Sequence, residues 1–164
     1  MKAAVCYEFG KPLVIEEVEL LPPKTGEVQV KLAACAICHS DILYTEGAWG
    51  GDLPAVYGHE ASGVVETVGQ GVATVQPGDN VLVTLIRSCG TCHYCSQGDQ
   101  VRCETTFPLD EESPLRTLDG KPITQGLRTG AFAESVVVDA SQLAPIPKDV
   151  PLDSASILSC GVIT

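Results

Sequence analysis

Four cysteines within fifteen residues, Cys89-x2-Cys92-x2-Cys95-x7-Cys103, constrain this chain more than any other feature. Such spacings let one short loop wrap a single tetrahedral ion, and Gly90 and Gly98 supply the backbone freedom the wrap needs. A second set of donors stands apart from it: Cys38, the pair His59-Glu60, and Cys160. Four thiolates make a closed, structural zinc site, whereas two thiolates and one imidazole leave a position open, the composition of catalytic zinc. The sequence therefore predicts two zinc ions per chain, one in a lobe of about residues 87–105 and one held by Cys38, His59 and Cys160. Glu60 is the candidate for a transient fourth ligand, and Asp41 for orienting His59 through its other ring nitrogen.

A redox Cys-x-x-Cys or a set of disulfides would also use eight cysteines. The apolar run before Glu8 is too short for a signal peptide and no segment reaches the length of a membrane span, so the expected compartment is the reducing cytoplasm. There the metal reading gains over disulfides. Cys6 and Cys35 lie among apolar residues and read as inert buried thiols; His93, inside a lobe whose four thiols already complete a tetrahedron, reads as surface. A formal charge of −11 with no Lys/Arg cluster argues against nucleic-acid or anionic-membrane partners. With 45% hydrophobic residues, 164 positions suit one domain with a real core.

Short Val-, Ile- and Ala-rich runs dominate: Lys2–Tyr7, Leu13–Leu20, Glu27–Ala34, Ala61–Val68, Val81–Leu85 and Phe132–Val138, divided by Gly and Pro. They predict a mainly β domain built on a small, irregular barrel. Alternation in Glu27-Val28-Gln29-Val30-Lys31-Leu32 marks a half-buried strand. Helix is expected only in short pieces near Ser40–Glu46, Tyr94–Gly98 and Leu152 to about Ser159. The polar, turn-rich stretch Thr105–Arg128 reads as a long surface excursion rather than an element. Gly69-Gln70-Gly71 lacks the third glycine of a dinucleotide turn and is followed by Gln76-Pro77-Gly78, so it reads as a plain turn.

Gly58-His59-Glu60-x2-Gly63-x5-Gly69-x2-Val72 resembles the pattern of the zinc-dependent alcohol dehydrogenases of the medium-chain dehydrogenase/reductase superfamily. The resemblance covers the whole chain: Cys38-His39-Ser40-Asp41, the four-cysteine lobe, Gly130-Ala131-Phe132-Ala133-Glu134 and Cys160-Gly161-Val162-Ile163-Thr164 all fall in place. It implies a GroES-like, partly open β-barrel carrying both zincs, the catalytic one on Cys38, His59 and Cys160 with Glu60 nearby. It further implies Ser40 as the bridge from substrate oxygen to a proton relay, His39 on the cofactor pyrophosphate and Thr164 near the nicotinamide. Three residues after Ser40, where several alcohol dehydrogenases carry a relay histidine, stands Leu43.

The implied activity interconverts small alcohols with aldehydes or ketones, using NAD or NADP. Hydride transfer in that family needs a Rossmann half, and residues 1–164 contain none. The chain is accordingly expected to be a truncated catalytic domain, inactive alone, with its cofactor half supplied in cis or in trans and a face that could support homo-oligomers. The competing expectation is a zinc-stabilised binding or assembly module that kept this fold without catalysis.

Overall fold

The alternation at Glu27 extends into the longest strand, β3 (Glu27–Ala36), with Val28 and Val30 fully buried and Lys31 exposed. β-Branched side chains fit such a pleated, half-buried surface. In the computed structural model, which describes residues 1–162, β3 pairs antiparallel with β5 (Glu60–Val68) on one side and β9 (Ser135–Asp139) on the other. Beyond β5 lie β6 (Asn80–Val83) and then β10 (Leu143–Pro145), giving an open sheet of order β10-β6-β5-β3-β9. Val28, Val30, Ala61, Val81, Val83 and Val136 form its buried core.

A second set of strands closes on itself. β1 (Lys2–Cys6), β2 (Val14–Leu20), β7 (Leu115–Thr117), β8 (Pro122–Gln125) and β4 (Ala55–Val56) make a five-stranded barrel around Ala3, Val5, Val18, Val56, Leu115 and Ile123. An antiparallel bridge between Ala3 and Ala133 ties the barrel to the chain entering β9. The mainly β, barrel-based expectation holds, with short helices α1 (His39–Thr45), α2 (His93–Ser96), α3 (Pro108–Glu111) and α4 (Leu152–Ala155) as connectors.

The reading of Thr105–Arg128 as an excursion without elements is corrected. β7 and β8 lie inside it and complete the barrel, with Leu115 and Ile123 buried in its core. Each strand is three or four residues long and offers few core side chains, so the apolar signal is diluted by turn residues; pairing with β2 and β4 supplies what local sequence lacks. Only the tip behaves as predicted, with Leu118 72% exposed.

Gly69-Gln70-Gly71 does form a turn, and Gly69 is required there by crowding: a Cβ would sit 1.7 Å from the Lys24 carbonyl oxygen. Two register shifts between β3 and β5, at Gln29/Val30 and Leu32/Ala34, bring Ala36 opposite Glu60. That register fixes the site, because Cys38 follows the end of β3 as His59 precedes the start of β5. None of the described helices is long and apolar enough to cross a membrane.

Candidate metal centres

Cys38 stands at the N-terminal cap of α1, on extended backbone. His59 follows Gly58, whose φ of +94° and close approach to Phe132, 2.7 Å from where a Cβ would be, leave no room for a side chain. Cys160 follows α4 and a short 3-10 turn, Ser156–Ser159. The donor atoms of Cys38, His59, Glu60 and Cys160 all lie within 4.8 Å of one another.

One carboxylate organises the first two. Asp41, 1% exposed, places Oδ1 3.0 Å from His59 Nδ1 and accepts the Gly58 N–H at 3.0 Å, while its Oδ2 accepts the Cys38 N–H at 3.0 Å. With Nδ1 engaged by Asp41, Nε2 is the ring nitrogen left for a metal. Glu60 Oε2 accepts the Gly161 N–H at 3.0 Å, joining β5 to the segment that carries Cys160. Ser40 Oγ lies 3.6 Å from Cys38 Sγ. His39 is exposed on the first turn of α1, and Thr164 lies outside the described residues. Two thiols, an imidazole and a carboxylate, converging and largely buried, fit zinc in softness and number.

The lobe gathers Cys89, Cys92, Cys95 and Cys103 within the same 4.8 Å limit. Backbone N–H groups point at its sulfurs, Cys92 to Cys89 Sγ at 3.3 Å and Cys89 to Cys103 Sγ at 3.4 Å. The Thr105 hydroxyl, with the Thr91 and Cys92 backbone, pulls Cys89 down to about 5; the Thr105 and Cys89 backbone lowers Cys103 as well, and burial pushes Cys95 up to about 12. Sulfurs that already receive N–H donors are prepared for the thiolate form that a metal takes. His93 is exposed and 3.3 Å from Gln97, and no disulfide joins the described cysteines. Arg102 stacks 4.5 Å above the Tyr94 ring and braces the lobe from outside.

Two features were not anticipated from the sequence. A cleft of about 390 Å³ is lined by Tyr44, Tyr57, Leu85, Gln125, Leu127 and Arg128 among others. Tyr44 is one turn beyond Ser40 on α1 and Tyr57 is two residues before His59, a spacing that could have flagged both. The other is Arg87, buried two residues before Cys89, whose partners come from remote segments and leave no local signal.

Barrel, sheet and the two donor sets together make a mainly β domain with two places where a metal ion could be held. The chain belongs to the alcohol dehydrogenase GroES-like domain family, whose sequence model matches residues 24–148. It is 42% identical to alcohol dehydrogenase class-P of Arabidopsis thaliana and 39% identical to alcohol dehydrogenase 1 of Pisum sativum, in each case across 99% of this chain and 45% of that protein. Among solved structures it resembles an alcohol dehydrogenase zinc-binding domain protein of Burkholderia ambifaria, with TM-score 0.91 and 33% identity over 98% of this chain and 45% of the other. Benzyl alcohol dehydrogenase of Acinetobacter calcoaceticus is similar at TM-score 0.85 and 27% identity over 98% and 45% of the two chains. The chain thus spans less than half the length of these relatives.

Proposed function

We propose that this chain is the catalytic zinc domain of an NAD(P)-dependent alcohol dehydrogenase that interconverts small alcohols and aldehydes or ketones. The observation that carries the reading is the Asp41 carboxylate fixing both Cys38 and His59 while Cys160 and Glu60 converge on the same point. Cys38, His59 and Cys160 would hold the ion, with Glu60 as the exchangeable fourth donor. Zinc bound there supplies a Lewis acid for an alcohol or carbonyl oxygen.

The remaining chemistry falls to the chain. Asp41 keeps the His59 ring in one tautomer. Ser40 Oγ would take the substrate hydroxyl proton while its own hydroxyl proton passes to solvent water, because Leu43 carries no titratable group to receive it. The cleft lined by Tyr44, Tyr57, Leu85 and Leu127 would receive the apolar part of the substrate, a placement supported by Tyr44 lying one turn beyond Ser40 and Tyr57 two residues before His59. A nicotinamide cofactor held by the complete enzyme would accept the hydride, with His39 assigned to its pyrophosphate and Thr164 to its ring. The length of the relatives supports a cofactor domain supplied in cis or in trans, and homo-oligomers of the complete enzyme belong to the same proposal. The lobe is structural, its second zinc closing a loop that offers substrate no place. Cysteines spaced as metal ligands and a net charge of −11 support a cytoplasmic chain with no nucleic acid or membrane as partner.

Native mass spectrometry of the chain, purified without chelator, tests the reading. Two zincs are expected, falling by about one in Cys160→Ala. Alcohol-dependent NAD+ or NADP+ reduction is expected only after a cofactor half is added. A single zinc, confined to the lobe, would move the assignment to the non-catalytic assembly module.

A further inference from the structure

Arg87 is the most deeply buried charge in the fold that the proposed chemistry leaves unused, its side chain 0% exposed. Its guanidinium donates in four directions. Nε bonds Gln142 Oε1 at 2.7 Å, Nη1 bonds Asp110 Oδ1 at 2.8 Å, and Nη2 reaches Gln125 Oε1 at 3.2 Å and the Arg128 carbonyl at 2.9 Å. These partners belong to a 3-10 turn (Ala140–Gln142), to α3, to β8 and to a second turn, Gly126–Arg128. Gln142 Nε2 adds a second bond to the Arg128 carbonyl at 3.1 Å. Gln125 Nε2 holds the Thr129 and Val137 carbonyls at 3.1 and 2.8 Å.

The turn held this way is unusual. Leu127 and Arg128 have φ of 52° and 59°, the left-handed region that side chains other than glycine rarely enter. Gly126 is pressed against Tyr57 so closely that a Cβ would come within 2.4 Å of the ring. Leu127 and Arg128 then line the same cleft as Tyr44 and Tyr57. Replacing a whole buried ion pair by apolar side chains is often neutral or stabilising, whereas removing the guanidinium alone leaves its acceptors unpaired.

We infer that Arg87 is a positioning residue for substrate: its buried guanidinium clamps the left-handed Leu127–Arg128 turn and so sets the shape of the cleft wall without touching the ligand. The inference rests on the alcohol dehydrogenase reading of the site. It also makes the cleft depend on the segment that enters the four-cysteine lobe, because Arg87 stands two residues before Cys89.

Trp49, the one tryptophan of the chain, packs edge-on against Tyr44 with ring centres 5.1 Å apart, and Tyr44 stacks on Tyr57 at 5.6 Å. Its emission therefore reports the cleft. Titration of the zinc-loaded chain with 1-hexanol is expected to give a saturable change in wild type and roughly tenfold weaker binding in Arg87→Met, with two zincs retained. Arg87→Lys keeps the charge, but a single ammonium cannot reach four acceptors, so it is expected to keep fold and zinc without restoring affinity. Trypsin should cut after Arg128 faster in both variants. Should Arg87→Met not fold, Arg87→Lys carries the test alone. Wild-type affinity in Arg87→Lys, or loss of zinc in that variant, overturns the proposal, the second outcome making Arg87 a folding residue. A zinc-loaded wild type that shows no saturable response overturns the cleft reading itself, and the clamp with it.

Discussion

Asp41 makes three contacts with two oxygens, and its loss should be felt at the metal before it is felt in the fold. Asp41→Ala is expected to weaken zinc at the open set by about 10–100-fold while the lobe keeps its ion, read by chelator competition. A carboxylate three residues after a cysteine could be picked out from sequence as a partner for His59; its double grip on Cys38 and Gly58 could not, because both bonds go to backbone. Cys35 gives a pH prediction. Burial pushes its thiol from 9.0 up to about 12, so the folded chain holds this proton more tightly than the unfolded one. The resulting stability is fully present below about pH 9 and is lost as pH rises from there toward 12. Urea unfolding of Cys35→Ala should show a shallower alkaline slope, the raised Cys6, Tyr7 and Tyr57 keeping the remainder, and at about pH 8 iodoacetamide should spare Cys35 in the folded wild type.

At the scale of elements, legibility follows strand length together with apolar density, so that four-residue β6, with three apolar residues, is readable and four-residue β8, with a single buried isoleucine, is not. β1, β2, β3 and β5 were visible because alternation or apolar runs persist over five or more residues, enough for period two to stand out. β4, β7, β8 and β10 have two to four residues each and exist through their partners, so β7 and β8 read as loop from sequence. Their place in the barrel core is testable. Leu115→Ala and Ile123→Ala should each cost about 2–5 kcal/mol in urea unfolding. Leu118→Ala, at the exposed tip between them, should stay within about 0.5 kcal/mol. Gly69→Ala should destabilise by about 1–3 kcal/mol, because the new methyl group meets the Lys24 carbonyl rather than a movable side chain.

Across the whole molecule the two donor sets differ in how they are assembled. The lobe takes all four sulfurs from one segment, which is why sequence spacing revealed it; the open set draws on three segments brought together by the β3–β5 register and by α4. Cys103→Ser should therefore remove one zinc and leave the other, a difference of one ion by native mass spectrometry. Loss of both ions together would mean that the lobe governs the open set as well as the cleft wall.

The same difference acts in time while the chain is being made. Cys103 leaves the ribosome well before Cys160, and at roughly 5–20 residues per second the lobe has all its sulfurs seconds before the open set has its last. During that interval only one of the two sites can compete fully for metal. In a cell short of zinc, newly made chains are then expected to take up metal at the lobe ahead of the Cys38 set.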